Sequence, residues 1–91
     1  MNQAAPAHAA DARVVVYTRL GCHLCDLALE TVAEVCADTG DSWTQVFIEA
    51  DEELTRRFTD QVPVTYVDGV QHDFWRVDEE RLRKALSTAV E

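Results

Sequence analysis

A short β-branched run, a glycine turn and a helical pattern opened by two cysteines follow one another near the start of this chain. Together they constrain its fold more than any other feature. Arg13-Val14-Val15-Val16-Tyr17-Thr18 is long enough for a strand and too short for a stable helix, which predicts a buried first strand. Leu20-Gly21 turns the chain, and from Cys22 onward Leu24, Leu27, Ala28, Thr31, Val32, Val35 and Cys36 recur at helical spacing until Thr39-Gly40. The Cys22-His23-Leu24-Cys25 motif therefore lies where a strand passes into a helix.

Trp43 to Ile48 predicts a second strand, with Trp43, Gln45 and Phe47 on one side and Thr44, Val46 and Ile48 on the other. Asp51 can cap a short helix through Thr59, in which Glu52/Arg56 and Glu53/Arg57 stand in the favourable acid-first order. After Val62-Pro63, a third strand runs over Val64-Thr65-Tyr66-Val67. The Asp68-Gly69 hairpin signal then requires a fourth, about Gln71 to Trp75. Asp78 caps a last helix, Glu79 to Val90, with the pairs Glu79/Arg83 and Glu80/Lys84. The order is βαβαββα, with the first two strands parallel and the last two antiparallel. An α/β fold with a mixed four-stranded sheet flanked by helices follows. The 91 residues leave room for one domain, expected over 13–91 behind an Ala-rich flexible tail at 1–12.

Seventeen acidic against eight basic residues give a formal net charge of −9, which repels polyanions and argues against nucleic acid or anionic membrane as partners. The opening segment has neither a basic leader nor a long apolar stretch, so the expectation is a cytoplasmic monomer without a membrane span. Three cysteines are too few for a disulfide-stapled secreted scaffold. Two of them in Cys-x-x-Cys mean redox chemistry or metal.

The spacing has a physical reason. At a helix start, unsatisfied N–H groups and the positive end of the dipole favour a thiolate at Cys22, while Cys25, one turn later, faces the same sulfur. One thiol attacks and the other resolves; the alternative is a pair of small buried apolar residues. His23 can tune the thiolate when protonated or simply face solvent. Arg19 stands three residues before Cys22, where a cation can hold a thiolate or a substrate carboxylate, or be a solvated surface residue. Cys36 lies roughly 16 Å along the helix from Cys25, too far to join the pair, and reads as a buried structural thiol. Asp26, Glu30, Glu34 and Asp38 recur at i+4 with no base interleaved. They form either a solvated face or an acidic docking strip.

The segment Val14-Val15-Val16-Tyr17-Thr18-Arg19-Leu20-Gly21-Cys22-His23-Leu24-Cys25, with Val62-Pro63-Val64 and Val77-Asp78-Glu79-Glu80-Arg81-Leu82, resembles the thioredoxin superfamily. Within it the glutaredoxin branch, and there the glutaredoxin-like family of small bacterial proteins, is nearest. The resemblance implies a thioredoxin-like fold and Cys22 and Cys25 as the catalytic pair. It also makes Val62-Pro63 the counterpart of a cis-proline site at which the backbone of the preceding residue pairs with an extended substrate. The chain departs from the pattern in two places. Cys22-His23-Leu24-Cys25 replaces the Cys-Pro-Tyr-Cys of dithiol glutaredoxins. Trp75-Arg76-Val77 stands where glutaredoxins carry a Gly-Gly before the capping aspartate, which argues against glutathione binding. No tightly bound cofactor is expected, and Trp43 and Trp75 read as packing residues.

The function these observations support is a thiol-disulfide oxidoreductase that takes electrons from a cellular reductant and reduces a protein or small-molecule disulfide. Two alternatives come from other classes. One is a soft-metal carrier, although such domains run βαββαβ and usually carry Met two residues before the first cysteine, where this chain has Leu20. The other is a redox-silent interaction module on the same fold.

Overall fold

Val14, Val15 and Val16 are 0%, 5% and 0% exposed, as a strand with neighbours on both sides and helices on both faces must be. That strand, β1 (Val14–Thr18), lies between β2 (Trp43–Phe47) and β3 (Val64–Val67), with β4 (Val70–Phe74) at the far edge, in the order β2-β1-β3-β4. These positions come from a computed structural model that describes residues 12–87. The expected tail, apart from Ala12, and the last helix beyond Ser87 fall outside the described residues. β1 pairs in parallel with β2, Val14 opposite Trp43, and antiparallel with β3, Val14 opposite Val67. β3 pairs antiparallel with β4, with an irregularity between Thr65 and Tyr66.

Alternation along β1 divides the core. Val14 and Val16 pack with Val32, Val35 and Cys36 of α1 (His23–Thr39) and with Leu82 and Leu86 of α3 (Glu79–Ser87). Tyr17, on the other side, packs with Ile48, Phe58, Val62, Val64 and Cys25, and Phe58 ends α2 (Glu52–Phe58). Each helix is capped by the residue chemistry its ends require. Asp51 accepts from the N–H groups of Glu53 and Leu54 at 2.7 and 3.3 Å, Asp78 accepts from Arg81 at 3.0 Å, and Gly40, at φ 80°, closes α1 by donating to the Cys36 carbonyl at 2.8 Å. Asp68 and Gly69, both at positive φ (53° and 83°), make the β3–β4 hairpin turn.

Some local expectations change. Ile48 leaves the second strand for a 3-10 turn (Ile48–Ala50), and β4 begins at Val70 and ends at Phe74, one residue earlier at each end than expected. In α2 Glu53 pairs with Arg56 at 2.7 Å, while the Arg57 guanidinium lies 5.0 Å from the centre of the Phe58 ring. Trp43 and Trp75 are 37% and 52% exposed, so neither is a core packing residue. The Val62–Pro63 peptide is cis.

Arg13 fastens the opposite end of the sheet. Its guanidinium makes a bidentate pair with Asp68 at 3.0 and 2.9 Å, reaches Asp41 at 3.0 Å, and donates to the Leu86 carbonyl at 3.1 Å. It thus holds the hairpin turn, the α1–β2 loop and α3 to the start of β1. The Arg13 contact holds the Asp68 carboxyl below the usual carboxylate range, and a hydrogen bond from Thr39 together with Arg13 does the same for Asp41. Arg13→Gln should cost about 1–3 kcal/mol at neutral pH. Carboxyls with depressed pKa stabilise the fold above their unfolded pKa and lose that contribution as pH falls through the folded one. The deficit of Arg13→Gln should therefore shrink below about pH 4, which urea unfolding at neutral and acid pH checks.

Cys36 is 2% exposed within the core, and burial, with the Asp41 charge adding to it, pushes its thiol up to about 11. An unfolded thiol titrates near 8.5, so the fold keeps a proton that the unfolded chain loses, and stability must fall as pH rises between those values. Cys36→Ala should remove that part of the decline, which approaches about 1.4 kcal/mol per pH unit for a fully shifted thiol. It should leave disulfide exchange nearly unchanged. Urea unfolding between about pH 8 and 10, alongside exchange rates, measures both outcomes.

Candidate functional site

β1 ends at Thr18, and the turn through Gly21, at φ 73°, aims the next residue at the first turn of α1. Cys22 is the N-cap. Its backbone is extended (φ −99°, ψ 108°), and its Sγ accepts a hydrogen bond from the Cys25 N–H at 3.2 Å. A sulfur here takes the place of the usual capping oxygen, and the donor stabilises negative charge on it. Cys22 is half-buried and Cys25 is 2% exposed. The two thiols of one motif are thus unequal in access.

Burial pushes the Cys25 thiol up to about 12, and the neighbouring Cys22 sulfur adds to the rise. The Arg19 peptide N–H, and then its charge, pull the other way. Under Cys25 lies an aromatic floor: the Tyr17 ring is 5.2 Å from Phe58 and 5.6 Å from Tyr66, centre to centre. Burial among these rings raises the Tyr17 phenol above its ordinary value.

The other sequence candidates take these places. His23 is exposed at the first helical position. The exposed Arg19 turns its guanidinium toward the Thr59 carbonyl at 3.4 Å, so it acts on Cys25 first through its backbone rather than as a side-chain cation. Val62 and Pro63 are buried, and Val62 packs in the same cluster as Cys22 and Cys25. The Val62 N–H donates to the Phe58 carbonyl at 3.1 Å, so pairing with an extended substrate would rest on its carbonyl alone.

Glu49 escaped the sequence reading, and Trp75 entered it only as a bulky packing residue. Glu49, in the 3-10 turn after β2, accepts from the Leu20 N–H at 2.9 Å and pins the loop that carries Cys22. Only the parallel pairing of β1 and β2, which brings their ends together, could have pointed to it. Trp75 stands at φ 69°, where its N–H donates to the Pro63 carbonyl at 2.7 Å and its indole Nε1 donates to the Asp60 carbonyl at 3.0 Å. Among the described residues no group of three or more His, Cys, Asp or Glu side chains is placed to hold a metal ion, and no helix is long and apolar enough to cross a membrane.

The family described as Glutaredoxin-like domain (DUF836) matches residues 13–87. An uncharacterised protein of Mycobacterium tuberculosis is 33% identical over 80 residues, 82% of each chain. The X-ray structure of the structural genomics target protein XcR50 from X. campestris superposes with a TM-score of 0.68 at 34% identity, covering 85% of this chain and 99% of that one. The thioredoxin of Fasciola hepatica, at 19% identity and a TM-score of 0.54 over 81% of this chain and 76% of its own, shares the fold. With the parallel β1–β2 unit, the β3–β4 hairpin and the cysteine pair where α1 begins, these likenesses show that the chain belongs to the glutaredoxin-like domain family and has the thioredoxin fold.

Proposed function

We propose that the protein is a thiol-disulfide oxidoreductase in which Cys22 attacks and Cys25 resolves, working as a monomer in the reducing cytoplasm. The observation that carries this reading is the Cys25 N–H donating to the half-buried Cys22 Sγ at 3.2 Å, while the Cys25 thiol is buried. The Cys22 thiolate attacks one sulfur of a substrate disulfide, forming a mixed disulfide and expelling the other sulfur as a thiolate, which takes up a proton. Cys25 then gives its proton to solvent or to that thiolate and attacks Cys22 Sγ. The Cys22–Cys25 disulfide forms and the reduced substrate leaves. Two electrons pass from the dithiol to the substrate, and a cellular thiol reductant restores the dithiol by the reverse exchange, becoming oxidised itself.

The balance of influences on Cys25 supports this order. While Cys22 is a thiolate, its charge helps keep Cys25 protonated; once Cys22 is tied up in a mixed disulfide that charge is gone. The Arg19 peptide and guanidinium then favour the Cys25 thiolate. Deprotonation of the second thiol is thus coupled to consumption of the first.

Cys25→Ser should accumulate a mixed disulfide visible by intact mass, and Cys22→Ser should form none. In the wild-type dithiol, alkylation near neutral pH should label Cys22 and spare Cys25, whose thiol stays protonated until near pH 12. Labelling at Cys25 alone would reverse the roles. Full activity in both single variants, together with tight binding of a soft metal by the wild type, would put a carrier in place of the oxidoreductase.

The 52% exposed Trp75, with Arg76 and Val77, fills the place where glutathione-binding relatives need small residues. Turnover with glutathione as the sole reductant should accordingly be at least about tenfold slower than with a protein dithiol donor at equal thiol concentration. A coupled NADPH assay run with both donors measures the ratio.

A further inference from the structure

We infer that the groove between α1 and the β4–α3 loop docks the disulfide-bearing segment of a partner protein, and selects one with a large apolar side chain beside its reactive cysteine and a basic residue beyond it. The inference rests on the oxidoreductase reading and names its substrate class.

The groove encloses about 320 Å³, room for one large side chain rather than a whole peptide. Leu24, Leu27, Ala28 and Thr31 form its helix wall, and Trp75 and Val77 its loop wall. Leu24, Leu27 and Trp75 are 41%, 47% and 52% exposed, so the described residues leave this apolar surface open to water.

Two observations tie the groove to the thiols. Leu24 stands between Cys22 and Cys25 in the motif itself. Trp75 donates its N–H to the carbonyl of Pro63, next to the Val62 that packs with both cysteines. A segment whose cysteine reaches Cys22 therefore has its neighbouring side chain at the groove. The Trp75 wall is also preorganised. The indole N–H is bonded to Asp60 and the backbone to Pro63, so the exposed ring gives contact area at little cost in side-chain freedom.

Charge decides which partner fits. On α1, Glu30, Thr31 and Glu34 follow Leu27 at i+3, i+4 and i+7, and Asp26 precedes Glu30 by four, so an exposed acidic row borders the helix wall. Asp38, the fourth acid, is matched by Arg83 at 2.8 Å. Arg76 lines the opposite rim. The surface is therefore acidic on the helix side and basic on the loop side, which orients a bound segment with its basic residue over α1. Glutathione, with two carboxylates and no large apolar side chain, matches neither the groove nor its acidic border. A second copy of this chain would bring the same acids and a net charge of −9 against them.

The test uses the full chain carrying Cys25→Ser and follows mixed-disulfide formation by mass. Four probes are compared: a peptide disulfide with Leu beside Cys and Lys beyond it, the same peptide with Ser and Glu there, bis(2-hydroxyethyl) disulfide and glutathione disulfide. The Leu/Lys peptide should react at least about tenfold faster than the Ser/Glu peptide, and the ratio should fall as salt rises. Leu27→Gln, at an exposed position that leaves the core intact, should bring the ratio near one. Glu30→Gln with Glu34→Gln should remove its salt dependence. Equal peptide rates while the hydroxyethyl disulfide still reacts would overturn the docking surface and leave the oxidoreductase. Faster adduct formation with glutathione disulfide than with either peptide would overturn it too. An adduct with no probe would instead bring down the oxidoreductase reading beneath it.

Discussion

Burial of β1 on both faces is the constraint from which the geometry of the thiols follows. Val14 and Val16 belong to one apolar layer and Tyr17 to the other, and both neighbouring strands are paired in register. A slip of one residue would exchange the two faces, so the strand has one position only. With Thr18 buried and accepting a hydrogen bond from Gln45 Nε2 at 2.9 Å, the end of the strand is fixed as well. Gly21 at φ 73° then makes the turn that puts a sulfur, rather than a hydroxyl or carboxylate, at the helix cap. The cap costs little helix stability if sulfur accepts the N–H. It leaves a half-buried thiol sulfur at the positive end of a dipole.

The two thiols acquire opposite characters from positions only one turn apart. Cys22 is half-buried at the dipole end, on the margin of a cluster of Ile48, Phe58, Val62 and Val64, whereas Cys25 is buried within it, where a charged sulfur is poorly solvated. The ion-pair cluster around Arg13 stands at the other end of β1, beside the hairpin turn. The Arg13 cluster is thus separated from the Cys22 and Cys25 sulfurs by the length of the strand. The fold can be tuned at Arg13 without altering the field at Cys22.

What the sequence revealed was local in origin. The strand-turn-helix unit follows from β-branched residues, a glycine and a helical period, and the hairpin from Asp68-Gly69, because each signal is contained within a few residues of the element it makes. The inequality of the cysteines was legible for the same reason. What stayed hidden depends on contacts between distant segments. Nothing near Glu49 announces a partner at Leu20, twenty-nine residues earlier, and nothing near Arg19 shows that its guanidinium turns to the end of α2. Sequence marked Trp43 and Trp75 as packing residues without showing their exposure, because edge position and loop geometry decide where a tryptophan sits.

Trp75 shows how site shape and stability are joined in this protein. A bulky residue at φ 69° costs on the order of 1–3 kcal/mol relative to relaxed backbone, and glycine would relieve that cost. The side chain offsets it with the indole hydrogen bond to the Asp60 carbonyl, worth about 1 kcal/mol net, and the edge-on contact with Phe74 at 5.0 Å, while the backbone N–H bond to the Pro63 carbonyl holds the peptide in place. These contacts reach three separate segments: the turn after α2, the Val62–Pro63 pair and the end of β4. One residue, through its backbone and its side chain, therefore gathers these segments. A glycine here would lose the indole hydrogen bond and free the loop, so the strained tryptophan is what keeps this wall of the site in one conformation.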